Sequence, residues 1–267
     1  MAEKQYLSEA ILLTKTYNIN DFSDWLDYHL SNLKFHHIHV FDNESPANIK
    51  TVCDKYRERV SYQLVKGWVN QYSLYNTYVN TTSKSWWCLP IDDDEYLWMK
   101  NFDDVNKCLL HYSRMFTNMT KLSIRWKNMF PIDPLSIRGD KSLREFNTIS
   151  NETWANLFVG GNKPVKTFVL NTGSVEYSET KGNQTHNPIN GGIPSYLCNG
   201  QRLVGNWYDG PNTDDDLKIL HYQYKSAAEW TWKCRHRLTV YGNKPQIYTQ
   251  GQEHIIQQML ATANTHQ

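Results

Sequence analysis

The chain has 267 residues, 40% of them hydrophobic, enough for one large domain or two closely joined halves around a substantial core. A formal net charge of +1 gives no long-range attraction to nucleic acid. No apolar run approaches the roughly 18 residues of a membrane span, and the opening MAEKQYLSEA lacks the basic start and apolar centre of a secretion signal. A cytoplasmic protein with no transmembrane segment and no nucleic-acid partner is expected. Cys53, Cys88, Cys108, Cys198 and Cys234 are scattered and odd in number, which reads as reduced thiols.

The predicted elements begin with a buried strand at 10–14, AILLT. A helix over 21–33 follows, capped by Asn20 or Asp21, with Phe22, Trp25, Leu26, Leu30 and Leu33 on one face. HIHVF at 37–41 is a second strand, and the spacing suits a parallel strand–helix–strand crossover. Ser45 then reads as the cap of a helix with Pro46 at its first position, running to about Arg59. A strand at 61–67, a helix at 69–83 and a strand at 85–91 continue the alternation, which argues for a parallel α/β sheet. Pro90 has no N–H, so ladder pairing is expected to stop near Leu89. Further on, 102–114 reads as helix, and 121–126, 165–170 and 217–222 as strands. The polar stretch 171–215 is long for a connection and suggests a functional loop. Helices at 226–238 and 252–262 complete the chain.

Chemistry concentrates where the strand at 85–91 runs into Asp92, Asp93, Asp94 and Glu95. Adjacent carboxylates repel one another and call for a cation. A D-x-D spacing continuing a strand points Asp92 and Asp94 to one side and Asp93 to the other, with Glu95 bracing the loop. Hard oxygen ligands suit Mg²⁺ or Mn²⁺, usually shared with substrate phosphates. In an open parallel sheet, ligands bind beyond the carboxyl ends of strands. Thr14, Lys15 and Asp42 stand at such ends too. Neither a G-x-G-x-x-G turn after the first strand nor a P-loop is present, which disfavours dinucleotides and Walker-type sites. A second acidic run, Asp214 to Asp216, follows a turn signal and reads as an exposed loop. The 10 Trp and 17 Tyr serve mostly as core, though such rings also suit stacking on sugars.

The array WLDYHLSNLKFHHIHVFDNES, then Gln71, then WWCLPIDDDEYL, then HYQYKSAAEWTWKCRH resembles GT-A-fold glycosyltransferases of the family 2-like and family 92-like group. The matched positions include Trp25, Leu26, Tyr28, His29, Asp42, Asn43, Ser45, Asp92, Asp94, Glu95, His221, Tyr222, Lys225, Ser226 and Lys233. The likeness is dense over 10–100 and 217–236 and thin between them, and KTYNIND departs from the Asn-Glu usual after the first strand.

The resemblance implies a Rossmann-like α/β fold, with a mostly parallel central sheet flanked by helices and a C-terminal acceptor-side half. It implies a nucleotide-sugar-binding half at 1–100, an acceptor-binding and catalytic half at 101–240, and a helical tail at 241–267. Asp94 would chelate a divalent ion bridging the donor diphosphate. Asp92 would lie toward the ribose or a metal-bound water, and Asp42 toward the base or ribose. Thr14, Lys15, Gln71 and Asp93 would line the nucleotide site, Lys225 would approach the diphosphate, and His221 would ligate metal or position a phosphate. An inverting transfer needs a carboxylate base, for which Asp140 and Glu145 are the candidates, with Glu152 behind them. Trp126, His186, Trp207 and Tyr208 are candidates for the acceptor.

The expected activity is metal-dependent transfer of a sugar from a nucleoside diphosphate donor, UDP favoured, to a glycan hydroxyl. Two alternatives stand beside it: another metal-phosphate enzyme, such as a phosphohydrolase or nucleotidyltransferase, and a non-catalytic carbohydrate-binding protein.

Overall fold

The computed structural model describes residues 3–67, 69–158, 161–178, 187–190, 195–203, 216–236 and 245–264. Its strands, in chain order, are β1 (Tyr6–Thr14), β2 (His37–Asp42), β3 (Val60–Leu64), β4 (Ser85–Pro90), β5 (Glu95–Met99), β6 (Lys121–Asn128) and β7 (Val165–Leu170). The pairs of short strands β8 (Val175–Glu176) with β9 (Ile189–Asn190), and β10 (Ser195–Tyr196) with β11 (Arg202–Leu203), precede β12 (Leu217–His221). The main helices are α1 (Ile19–Asp27), α2 (Lys50–Lys55), α3 (Gln71–Thr77), α4 (Val105–Met115), α5 (Leu143–Phe146), α6 (Glu152–Ala155), α7 (Ala227–His236) and α8 (Pro245–Asn264). Single π-helical turns extend α1 to Asn32 and α3 to Thr82.

The class is α/β, as expected, with a central sheet ordered β11-β10-β6-β7-β4-β1-β2-β3 and flanked by helices. β3, β2, β1 and β4 are mutually parallel. β7 then runs antiparallel to both β4 and β6. The chain divides into two compact units, one of Met1–Trp126 with Lys163–Ile219, the other of Lys127–Asn162 with Leu220–Gln267.

In the first unit the amphipathic logic of the sequence holds. Phe22, Trp25, Leu26, Leu30 and Leu33 are all buried. Asn18 caps α1, its side chain accepting from the Asn20 and Asp21 N–H groups, two residues before the expected cap. The second helix is shorter than expected. Ser45 does not cap it, because the Asp42 carboxylate captures the Ser45 N–H (2.8 Å) and the Ser45 hydroxyl accepts from Thr16 N–H (3.0 Å). Glu44 takes a positive φ of 55° there, so the helix begins only at Lys50.

Pro90 stays in the ladder, opposite Ile11. In a parallel pair alternate residues donate to one neighbour, and here Ile91 N–H supplies the bond to Ile11 C=O (3.0 Å), so the missing Pro90 donor is not needed on that side. β5 and the short strands inside 171–215 were not anticipated, the latter being too short to carry an alternation signal. The second unit gathers Phe130, Trp154, Phe158, Tyr224, Trp230, Cys234, Ile255 and Met259 into its own core.

The cysteines are free, and all but half-buried Cys198 are buried, with burial pushing the thiols of Cys53 and Cys108 up to about 12. No helix among the described residues is long and apolar enough to cross a membrane.

A polar knot sits inside the first unit on β1. Glu9, 1% exposed, accepts from Tyr78 hydroxyl (2.5 Å) and Ser83 hydroxyl (2.5 Å), and His37 Nδ1 lies 2.7 Å away. Beside it His39 stacks on Tyr78, ring centroids 4.0 Å apart, and its Nδ1 meets the Ser61 hydroxyl. Burial lowers the His39 pKa to about 4. The folded state therefore stays neutral while the unfolded chain takes up a proton below its ordinary value near 6.5, so stability falls as pH drops through that window. We expect His39→Phe to lose about 1.5 kcal/mol less than wild type between pH 6.5 and 5 in urea unfolding. Equal losses would show that His39 is not held neutral.

Candidate functional site

The carboxyl ends of β1, β2, β3 and β4 are tied together by their own loops. Asn43 N–H donates to Thr14 C=O (2.8 Å), and the Asn43 side chain donates to Val65 C=O (3.1 Å) and Gly67 C=O (2.9 Å). Glu44 Oε2 accepts from Gly67 N–H (3.0 Å). Asp42 is buried at the end of β2, where its Oδ2 accepts from Tyr62 hydroxyl (2.7 Å) and its Oδ1 from Ser45 N–H. Thr14 lies opposite Asp42 in the register of β1 and β2. Lys15 next to it is half-buried.

The acid run Asp92–Glu95 leaves β4 at this same edge. It is a turn, closed by Glu95 N–H donating to Asp92 C=O (3.1 Å), so the alternation of a strand no longer applies. Asp93 therefore does not face away: its Oδ2 accepts from the Thr14 hydroxyl (2.9 Å). Glu95 braces the loop as expected, Oε2 accepting from Asp92 N–H (2.9 Å). Asp94 is buried within the turn.

The cation that these carboxylates require is supplied by the chain itself. Lys166, on β7, places its ammonium 2.9 Å from Asp92 Oδ2 and 3.2 Å from Glu95 Oε2. Its side chain is 5% exposed, that of Glu95 0% and that of Asp92 32%. Burial acts to lower the Lys166 pKa, but Asp92 and Glu95 outweigh it and hold the ammonium charged well above the usual lysine range. Burial pushes Glu95 up to about 8, against the pull of Lys166 and with help from Asp92 and Asp94. One ammonium balances one carboxylate, so Lys166 and Asp92 form the ion pair and burial favours the protonated form of Glu95. Glu95 Oε1 is buried and has no hydrogen-bond partner. The Trp126 ring lies beside the same ammonium, 5.9 Å from its centroid. Gln71 opens α3 and donates to Tyr75 hydroxyl (2.9 Å), whose ring is buried.

Helix α1 fixes the far side of the acid turn. Trp25 Nε1 donates to Glu95 C=O (2.8 Å), Tyr28 hydroxyl to Leu97 C=O (2.9 Å), and Tyr96 hydroxyl to Asp24 Oδ2 (2.9 Å). The residues Trp25, Tyr28 and His29 that matched a family pattern thus hold the backbone that follows the carboxylates.

The second unit holds the late motif. His221 and Tyr222 are buried, and His221 C=O accepts from Met129 N–H (2.9 Å). Lys225 is also buried, with a positive φ of 57°. Ser226 and Glu229 cap the start of α7 reciprocally, Ser226 hydroxyl donating to Glu229 Oε2 (2.5 Å), and Arg138 pairs with the same Glu229. Tyr224 hydroxyl donates to Pro134 C=O (2.6 Å). Asp140 is exposed in the turn after Gly139. Glu145 forms a capping box with Ser142, whose N–H and hydroxyl hold its carboxylate below the usual range. Glu152 Oε2 accepts from the Asn162 side chain (2.7 Å). His186, Trp207 and Tyr208 lie outside the described residues, as do Asp214 and Asp215.

Among the described residues no three His, Cys, Asp or Glu side chains gather as a metal-ion group. A divalent cation shared with a diphosphate takes only one or two protein carboxylates, and hard oxygen donors of that kind, Asp92, Asp93 and Asp94, stand together in this one turn.

No protein-family profile matches the chain, and neither does any curated protein sequence. Solved structures give partial likenesses. S. aureus TarS 1-349 aligns over 95% of this chain and 70% of its own, at 12% identity and TM-score 0.42. The same protein in complex with UDP aligns over 60% and 46%, at 15% identity and TM-score 0.37. The 4-diphosphocytidyl-2C-methyl-D-erythritol synthase of Anaerococcus prevotii aligns over 61% and 70%, at 13% identity and TM-score 0.33. The chain thus covers less than half of the UDP-bound TarS chain. Likenesses of this size establish no shared activity.

Removing the Lys166 ammonium leaves Asp92 without its ion-pair partner and takes a buried donor from Glu95 Oε2. Lys166→Met is expected to lower the unfolding free energy by about 3 kcal/mol in urea denaturation. Adding Asp92→Asn should recover part of that loss, and a cost below about 1 kcal/mol would contradict the pairing.

Proposed function

We propose that the protein is a GT-A-fold glycosyltransferase that moves a sugar from a nucleoside diphosphate donor, UDP preferred, to a hydroxyl of a glycan acceptor. The observation that carries this reading is the meeting of Thr14, Asp42 and the Asp92–Glu95 turn at the carboxyl ends of adjacent parallel strands. That edge is where open α/β sheets take their ligands. The sequence array that resembles family 2-like and family 92-like enzymes runs through the same positions.

In this reading Asp42, anchored by Tyr62 and Ser45, presents a fixed carboxylate edge to the nucleoside. Thr14 sets the rotamer of Asp93, and Lys15 adds a half-buried cation beside the phosphates. Asp94, with Asp93, would hold Mn²⁺ or Mg²⁺ on the donor diphosphate. When bound, such an ion stabilises the charge that develops on the leaving diphosphate. Trp126, half-buried beside Lys166, offers an apolar face suited to a sugar ring. Inversion needs a carboxylate free to take the acceptor proton. Of the two candidates, Glu145 is committed to its capping box and Asp140 is exposed.

The test is release of UDP from a panel of UDP-sugars with Mn²⁺ and glycan acceptors. Asp94→Ala should lower the rate at least a hundredfold, an effect of about 2.7 kcal/mol or more on the barrier. Its circular dichroism and melting should remain those of a folded protein. Turnover near the wild-type rate in that variant would remove Asp94 from the mechanism.

A further inference from the structure

We infer that the loop after β6, residues 131–138, docks the second unit on the surface of an anionic lipid bilayer. Ile132, Leu135 and Ile137 stand 76%, 54% and 91% exposed on it. Ile132 and Ile137 are the most exposed large apolar side chains among the described residues. Each forgoes the burial that stabilises the core, and three such side chains on one short loop call for a partner. The backbone beneath them is fixed. Pro131, Pro134 and Arg138 are buried. Tyr224 hydroxyl donates to Pro134 C=O (2.6 Å), and Leu135 N–H donates to Asp133 Oδ1 (2.9 Å). Arg138 Nε donates to Glu229 Oε2 (3.0 Å) and its Nη1 to Lys141 C=O (3.0 Å). The apolar side chains are therefore held outward by a braced loop.

The chemistry of the loop selects its partner. Sugars stack on aromatic rings, and the exposed side chains here are aliphatic. Three side chains offer on the order of a few hundred Å², against the roughly 800 Å² that each copy buries in a stable dimer. Shallow insertion among lipid headgroups needs only such a tip, because the methylene groups enter the acyl boundary while the backbone stays outside. Charge favours the same surface. Residues 127–162 and 220–267, which form the second unit, hold nine Lys and Arg against six Asp and Glu, a net +3 in a chain of +1. Close to the tip, Glu229 meets the Arg138 charge, and exposed Asp140 and Lys141 offset one another. Attraction to anionic headgroups thus belongs to the whole unit, and the apolar tip supplies the local hold.

The experiment is sedimentation of the full chain with vesicles of phosphatidylcholine and phosphatidylglycerol, without UDP or Mn²⁺. Wild type should pellet with them, and should pellet less with phosphatidylcholine alone. Ile132→Ser with Ile137→Ser should weaken the partition about tenfold or more. Its melting and circular dichroism should stay those of wild type, because both side chains already face water. Ile132→Leu with Ile137→Leu keeps the apolar area and should partition within about twofold of wild type. Wild type left in the supernatant would overturn the inference, as would equal pelleting of the serine variant or an equal loss in the leucine variant. Equal pelleting of wild type with phosphatidylcholine alone would overturn the part given to charge. A change from dimer to monomer in the serine variant, without vesicle binding by wild type, would assign the loop to a second copy and overturn the lipid assignment. UDP-sugar turnover plays no part in these outcomes.

Discussion

The ammonium of Lys166, set between Asp92 and Glu95, is the constraint on which the candidate site depends. A run of four acidic residues leaving a buried strand is costly unless something neutralises it. Here β7 runs antiparallel beside β4 and carries the lysine to the mouth of the turn. Everything else about the turn follows from that anchoring. Glu95 can be wholly buried because its Oε2 has both the lysine and the Asp92 N–H. With Glu95 held, the backbone of β5 docks on Trp25 and Tyr28. Asp93 is then left beside Thr14 at the end of β1.

The same economy of contacts explains the neighbouring strand ends. Asp42 and Asn43 spend their side chains on the loops after β2 and β3, not on the start of a helix. That choice delays α2 to Lys50 and leaves a level, hydrogen-bonded edge of loops around the acid turn. A rigid edge of this kind suits electrostatic work, since groups already fixed need no reorganisation when charge develops nearby.

Much of the fold was legible. Apolar runs with β-branched residues marked the parallel strands, and the helical spacing of Phe22, Trp25, Leu26 and Leu30 marked α1, because burial of one face dominates both patterns. The errors have local causes. Ser45-Pro46 looks like a helix start, but the Asp42 carboxylate outcompetes it for the Ser45 N–H. Asp93 was placed by strand alternation that a turn abolishes. Lys166 was invisible because VKTFVL reads as an ordinary buried strand, and its partners lie 74 and 71 positions away in sequence (166 − 92 and 166 − 95). A lone lysine within an apolar run was the one available signal, since a buried lysine needs a partner. The matched Trp25 and Tyr28 carried no assigned role in the sequence, and their side chains bond the backbone that follows the turn.

The central claim is that this edge binds a nucleoside diphosphate together with a divalent ion, and thermal unfolding of the full chain tests it most directly. UDP with Mn²⁺ at a hundredfold excess over its dissociation constant should stabilise the protein by about 2.7 kcal/mol, seen as a clear rise in Tm, and more than UDP and Mn²⁺ do separately. No shift with any nucleoside diphosphate, with or without Mn²⁺, would contradict the account.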